Sequence, residues 1–151
     1  MKAVEMVERI IDCDADPFTP SGWTVESHQK SGQFAFNPAR IKLYFSRNQQ
    51  DGKVIEGNEL RKELANEHVL NANVLDYLLA HPKLIPEEWK KDKRGNTRYV
   101  FFWGTIYRSP RSRGGNLYVR SLYWSDGVWV WYSNWLGRGW HDGYPAAVLA
   151  I

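Results

Sequence analysis

The chain has 151 residues, 43% of them hydrophobic and 25% charged, with a net charge of +3; this excludes a disordered chain and allows one substantial core. Its single cysteine, Cys13, excludes an intramolecular disulfide, and no apolar run approaches the ~20 residues that span a bilayer. Two features depart from the ordinary: eight Trp with eight Tyr, and nine cations between Lys90 and Arg120 against Asp92 alone, which leaves the rest of the chain net acidic.

In chain order, Val4, Met6, Val7, Ile10 and Ile11 recur at helical spacing over Met1–Cys13, with a strand over Val7–Cys13 as the competing reading. Glu5, Glu8 and Arg9 interrupt any secretory leader, so a cytoplasmic location is expected. Asp12-Cys13-Asp14-Ala15-Asp16 invites a hard cation. However, a calcium loop starting at Asp12 needs Gly where Pro17 stands and Glu where Trp23 stands, so no metal is expected. Phe18–Gly32 reads as irregular, punctuated by Pro20, Gly22 and Gly32. Gln33–Ser46 alternates as two strands broken at Asn37–Arg40. Asn58 caps a helix Glu59–Asn66, and Asn71 or Asn73 caps a second that ends before Pro82, with Val74, Leu75, Leu78 and Leu79 as its stripe. Pro86-Glu87-Glu88 starts a third, short helix that Trp89 staples to the body.

Three strands follow, Arg98–Arg108, Leu117–Ser125 and Val128–Leu136. Asp126-Gly127 between two aromatic runs is a type I′ hairpin signal, because both turn residues need positive φ. A two-residue turn places Trp124 opposite Trp129, Leu122 opposite Trp131, Arg120 opposite Ser133 and Tyr118 opposite Trp135, with both faces apolar or aromatic. Ser109–Asn116 reads as a mobile basic loop, Gly137–Pro145 as a Gly-rich aromatic loop, and Ala146–Ile151 as a closing strand. The fold class expected is α+β in one domain, residues 1–151. It has an antiparallel sheet of about five strands with a C-terminal Trp-rich three-stranded meander, and two or three short helices (58–90) packed on one face.

The runs Val69–Pro82, Leu84–Lys90 and Phe101–Arg108, with Gly22–Val25 and Gly57–Lys62, resemble a group of small uncharacterised bacterial proteins. No activity or catalytic residue is assigned to that group, so the resemblance implies nothing about mechanism.

The chemistry-bearing residues are sparse. None of the four histidines stands in a metal-binding pair, and no P-loop, nucleophile elbow, dinucleotide fingerprint or paired-Cys site occurs, so neither a cofactor nor a catalytic set is assigned. His141, beside Asp142 and between Trp140 and Tyr144, is the one place for a poised base. Trp, Tyr and Arg dominate binding hot spots, and the C-terminal third concentrates all three. The expectation is therefore a cytoplasmic, non-enzymatic binding protein whose aromatic and arginine surface engages another protein. Single-stranded nucleic acid is the alternative partner, held by cations and stacked rings. An enzyme with a site near His141 is the second alternative, and tryptophan-face glycan binding is a further class disfavoured by the lack of a leader. The candidate binding residues are Arg108, Arg111, Arg113, Arg120, Tyr107, Tyr118, Trp135, Trp140, His141 and Tyr144. Arg120 lies mid-strand on the Trp face, so it must stack on a ring, pair with a buried acid or point to a ligand.

Overall fold

A computed structural model describes residues 9–110 and 115–150. The expected Met1–Cys13 helix, the Ile151 end of the closing strand, Arg111 and Arg113 fall wholly or partly outside them. The described strands are β1 (Ile10–Asp12), β2 (Thr24–His28), β3 (Gln33–Ala35), β4 (Ile41–Tyr44), β5 (Ile55–Glu56), β6 (Val100–Phe101), β7 (Thr105–Ser109), β8 (Asn116–Ser125), β9 (Val128–Trp135), β10 (Gly139–Trp140) and β11 (Ala146–Leu149). Among the described residues the α-helices are α1 (Gly57–Leu64) and α2 (Ala72–Ala80). The chain is thus mixed α and β around a curled, mostly antiparallel sheet.

β8 is the spine of that sheet. One of its edges pairs with β9 in the register set by the Asp126-Gly127 turn, Trp124 opposite Trp129 through Tyr118 opposite Trp135. Asp126 (φ 49°) and Gly127 (φ 81°) both take the positive φ that turn demands. The other edge is shared: β7 pairs with its first half and β6 with its second. From there the sheet forks, β7 leading to β2 and β6 to a parallel β11 and then an antiparallel β4. The expected continuous strand Arg98–Arg108 is therefore two strands. Its break at Phe102–Gly104 is made by α2: the Gly104 N–H donates to the Leu70 carbonyl, and a Cβ on Gly104 would lie 2.7 Å from the Asn71 Cα.

Asn71 explains why α2 docks there. It caps the helix by accepting the Asn73 N–H, and its own amide donates to the carbonyls of Cys13 and Gln29. The Ala72 N–H donates to the Thr105 hydroxyl, which also contacts His28 Nδ1. The buried Asn71 side chain thus ties the residues after β1 and β2 to the first turn of α2, and the backbone of Leu70 and Ala72 beside it ties the sheet fork.

The core has two halves, one on each face of β8. Leu122, Val100, Phe102 and Ala147 pack under Val74, Leu75 and Leu78 of α2, with Ile11 and Phe34 of the β1–β3 hairpin and Trp89 beside them. On the opposite face Val119, Phe101, Ala146 and Val148 pack against Leu60 and Leu64 of α1, with Ile55 and Trp140 of the β5–β10 pair. The helices therefore lie on opposite faces, not on one. The seven strands joined in the main sheet, with two two-stranded pairs, exceed the five expected. The Pro86 helix is a 3-10 turn, Glu87–Trp89, and α1 begins two residues early because the Glu56 carboxylate caps it. Gly57 is required there, since a Cβ would collide with the Leu136 carbonyl oxygen.

Leu60→Ala and Leu75→Ala each open a cavity in a separate half of the core, and each is expected to cost about 2–5 kcal/mol. Because β8 stands between them, the double variant should lose the sum within about 0.5 kcal/mol. Urea unfolding of the three variants checks this.

Candidate functional site

Strand alternation distributes the aromatic residues onto two faces, and the structure assembles a separate cluster on each. On the face that also carries α2, Trp23 stacks on Tyr118 (5.2 Å between ring centroids) and meets Tyr107 (5.7 Å) and the edge of Trp131 (6.3 Å). Trp135, cross-strand from Tyr118, and Phe18 are exposed beside them. Under these rings lies Arg120, 1% exposed. Its two terminal nitrogens donate to the two Asp76 carboxylate oxygens at 2.9 Å each, and its guanidinium lies 4.3 Å from the Trp131 ring centroid and 5.1 Å from that of Phe18. Burial works against this charge, but the hydrogen bonds and charge of Asp76, with Tyr107, raise the pKa above its ordinary value. Arg120 therefore does two of the three things open to it, stacking on rings and pairing with an acid, and it has no surface left for a ligand.

Tyr107 is likewise interior, its hydroxyl donating to the Phe18 carbonyl at 2.8 Å, and burial holds the phenol above its ordinary pKa. Trp140 is buried against Phe101 and Trp103 on the other face. These three residues do not line a surface, because each fills core volume that no other side chain occupies. Arg108, on the face of α1, forms a 2.9 Å ion pair with Glu26 and donates to the Gly115 carbonyl. The hydrogen bonds from Arg108 to Glu26 hold the Glu26 carboxyl below its usual value. The same holds along the basic segment: Lys90 pairs with Glu87 and covers Trp124, Arg94 pairs with Asp142, and Arg98 donates to the Glu88 carbonyl. Of the nine cations of that segment, Arg94, Arg108 and Arg120 are thus paired with acids distant in sequence, and Lys90 with the nearby Glu87.

On the face of α1, four tyrosines converge. Tyr99 lies 4.7 Å from Tyr123, 5.5 Å from Tyr144 and 5.9 Å from Tyr132. Burial, followed by the neighbouring phenols, raises the Tyr99 pKa, and burial also raises that of Tyr144. Tyr132 is half-exposed at the outer end of this cluster. Of these four only Tyr144 was singled out from the sequence. The signal for Tyr123 and Tyr132 was in the hairpin register, which makes them diagonal neighbours on one face. His141 stacks on Tyr144 at 4.2 Å, and its Nδ1 accepts the Gly143 N–H. The Asp142 carboxylate, 3.9 Å from that nitrogen, is outside hydrogen-bond reach and is held by Arg94. No acid–base pair is assembled there. The carboxylates of Asp12 and Asp14 accept backbone N–H groups of Asp14 and Gly32, and among the described residues no three His, Cys, Asp or Glu side chains converge.

β9 joins the two clusters, and its outer edge pairs with no other strand among the described residues. In the β8 register, the bonded pairs are those of Val128, Val130, Tyr132 and Asn134, so the backbone groups of Trp129, Trp131, Ser133 and Trp135 turn away from β8. Of these, the Trp135 carbonyl accepts the Arg138 N–H; the others have no backbone partner among the described residues. No helix among the described residues is long and apolar enough to cross a membrane. No family model, curated protein or solved structure matches the chain, so the functional reading rests on this surface.

Removing Asp76 leaves a buried guanidinium unpaired, so Asp76→Ala should cost about 3–5 kcal/mol, and more than the double variant Asp76→Ala/Arg120→Met. Urea unfolding compares them. The raised phenols set an alkaline limit. The fold favours neutral Tyr99, Tyr107 and Tyr144, whereas the unfolded chain ionises them from about pH 10. Stability should fall as pH rises above about 10, tracked by urea midpoints against the ultraviolet phenolate titration.

Proposed function

We propose that this chain is a non-catalytic binding protein. The Trp-rich meander of β7, β8 and β9 is its working part, and the outer edge of β9 receives an extended segment of another polypeptide as an added strand. One observation carries the reading: Val128–Trp135 is an eight-residue edge strand with no charge, no proline and no glycine. Natural sheet edges are normally blunted by such devices, because a bare row of N–H and C=O groups templates further pairing. The other two edges of the same sheet keep them. β2 carries Glu26 and a register shift between Val25 and Ser27, and β4 carries Lys42 and is only four residues long.

The side-chain chemistry agrees with strand addition. Recognition of an extended peptide draws affinity from main-chain hydrogen bonds and specificity from alternate side chains. A strand laid along β9 would set its residues alternately beside Trp129, Trp131 and Trp135 and beside Tyr132 with the tyrosine cluster. Nucleic acid is the less supported partner, because Arg108 and Arg120 are engaged by Glu26 and Asp76.

Ser133→Pro removes one outward N–H without touching the β8 ladder, a position where an edge strand tolerates proline. Display selection of random peptides on the wild-type protein should enrich sequences of alternating apolar residues whose binding falls at least tenfold on Ser133→Pro. Enrichment indifferent to that substitution overturns the proposal, as does salt-sensitive tryptophan quenching by single-stranded DNA with no peptide enriched.

A further inference from the structure

We infer that the polypeptide covering β9 is a second copy of this chain, its β9 running antiparallel to the first across a two-fold axis at Tyr132. The inference rests on the strand-addition reading above and names the occupant.

Symmetry of the outward groups is the first argument. Trp129, Trp131, Ser133 and Trp135 are spaced evenly about Tyr132. With Tyr132 opposite the partner's Tyr132, Trp131 meets the partner's Ser133 and Trp129 meets the partner's Trp135, so every outward residue faces an outward mate, with the Trp135 carbonyl already accepting the Arg138 N–H. Centring the axis on Trp131 or Ser133 leaves one end residue without a mate. The side chains agree with this register. The indole of Trp131, already seated over Arg120, stands across from a small serine, and Trp129 with the partner's Trp135 makes a cross-strand aromatic pair. Such self-complementarity is what an isologous contact requires.

Charge is the second argument. β9 is bracketed by Asp126 at one end and Arg138 at the other, both exposed, and no charged residue lies between them. Neither side chain forms an ion pair among the described residues. Antiparallel pairing brings the acidic end of each strand to the basic end of its mate, twice over, whereas parallel pairing sets like against like.

Area sets the strength. An eight-residue strand is about 27 Å long, and with side chains on both faces its pairing covers on the order of 1,000 Å² in total, just below the range of stable specific interfaces. An interface of that size belongs with weak, reversible associations.

Sedimentation velocity from about 1 to 200 µM should show the weight-average mass rising from monomer towards dimer. Tyr132→Lys sets two ammonium groups across the axis from a half-exposed position, and it should hold the protein folded and monomeric. Arg138→Glu should weaken the dimer at least threefold. The register is read by cross-linking. Across the axis the two Tyr132 Cα atoms are about 4.5–5.5 Å apart, within disulfide range, whereas the two Val128 Cα atoms are more than 20 Å apart. Tyr132→Cys should therefore form a disulfide-linked dimer under mild oxidation and Val128→Cys should not; the native Cys13 is buried. A monomer at every concentration overturns the inference, as does equal cross-linking at both positions. If the chain is monomeric while selected peptides still bind the wild type and not Ser133→Pro, the second copy falls and strand addition stands. If the Trp129, Trp131 and Ser133 amides are protected from exchange in a monomer, the edge is covered within the molecule and both readings fall.

Discussion

A guanidinium in the middle of β8 constrains much of the fold. Burying a charge costs free energy unless it is paired. Arg120, in the row that carries Leu122 and Trp124, is paired through its two terminal nitrogens by Asp76, while its Nε has no partner among the described residues. Asp76 must then stand directly above it, which fixes where α2 crosses the sheet. α2 covers Leu122 and Val100 but stops short of Tyr118 and Trp135, so the rest of that face is left to Trp23, Trp131 and Phe18. The ion pair thus divides one aromatic face into a part that is core and a part that is surface.

The opposite face follows a different logic. Its core of Leu60, Leu64, Phe101 and Trp140 holds no buried charge. Beyond the indole nitrogens of Trp103 and Trp140, which are buried without a partner among the described residues, its aromatic polar groups are the phenols at its outer side. A tyrosine ring can be packed on its sides while its hydroxyl reaches water. Tyr99, Tyr123, Tyr132 and Tyr144 therefore grade from core to solvent and do not end abruptly. β9 lies between this graded face and the tryptophan face, which is why its open edge is flanked by rings on both sides.

Some of this was legible in the sequence. The hairpin register followed from Asp126-Gly127 because turn chemistry and two-residue periodicity are local rules, and the Asn71 cap followed from helix chemistry for the same reason. What was missed depends on contacts between distant residues. β2 hides in Phe18–Gly32 because an edge strand that exposes Thr24, Val25 and Glu26 shows no alternation. The fork at Phe102–Gly104 hides inside an unbroken apolar run, where only Gly104 marks the close approach of Asn71. An apolar stripe on a helix says that one face is buried, not which side of the sheet receives it, so α1 and α2 could not be assigned to opposite faces. The basic segment misled for a related reason: Glu26, Asp76 and Asp142 neutralise arginines at least 44 residues away in sequence.

An exposed row of unsatisfied backbone groups between two aromatic faces is a poor end state for a chain in water. Each ring buried removes ~150–250 Å² from solvent, and each outward N–H and C=O offers a ladder bond to any extended strand that arrives. Selection against such an edge is visible in this same sheet, in the register shift beside Glu26 and in Lys42, so the means of blunting an edge are present in the chain. Those devices are missing from Val128–Trp135, and Asp126 and Arg138 lie beyond its two ends; on the proposed reading this would make the strand selective in direction as well as adhesive. An edge that merely tolerated exposure would gain nothing from being bracketed by opposite charges. An edge built to pair antiparallel with its own kind gains orientation from both.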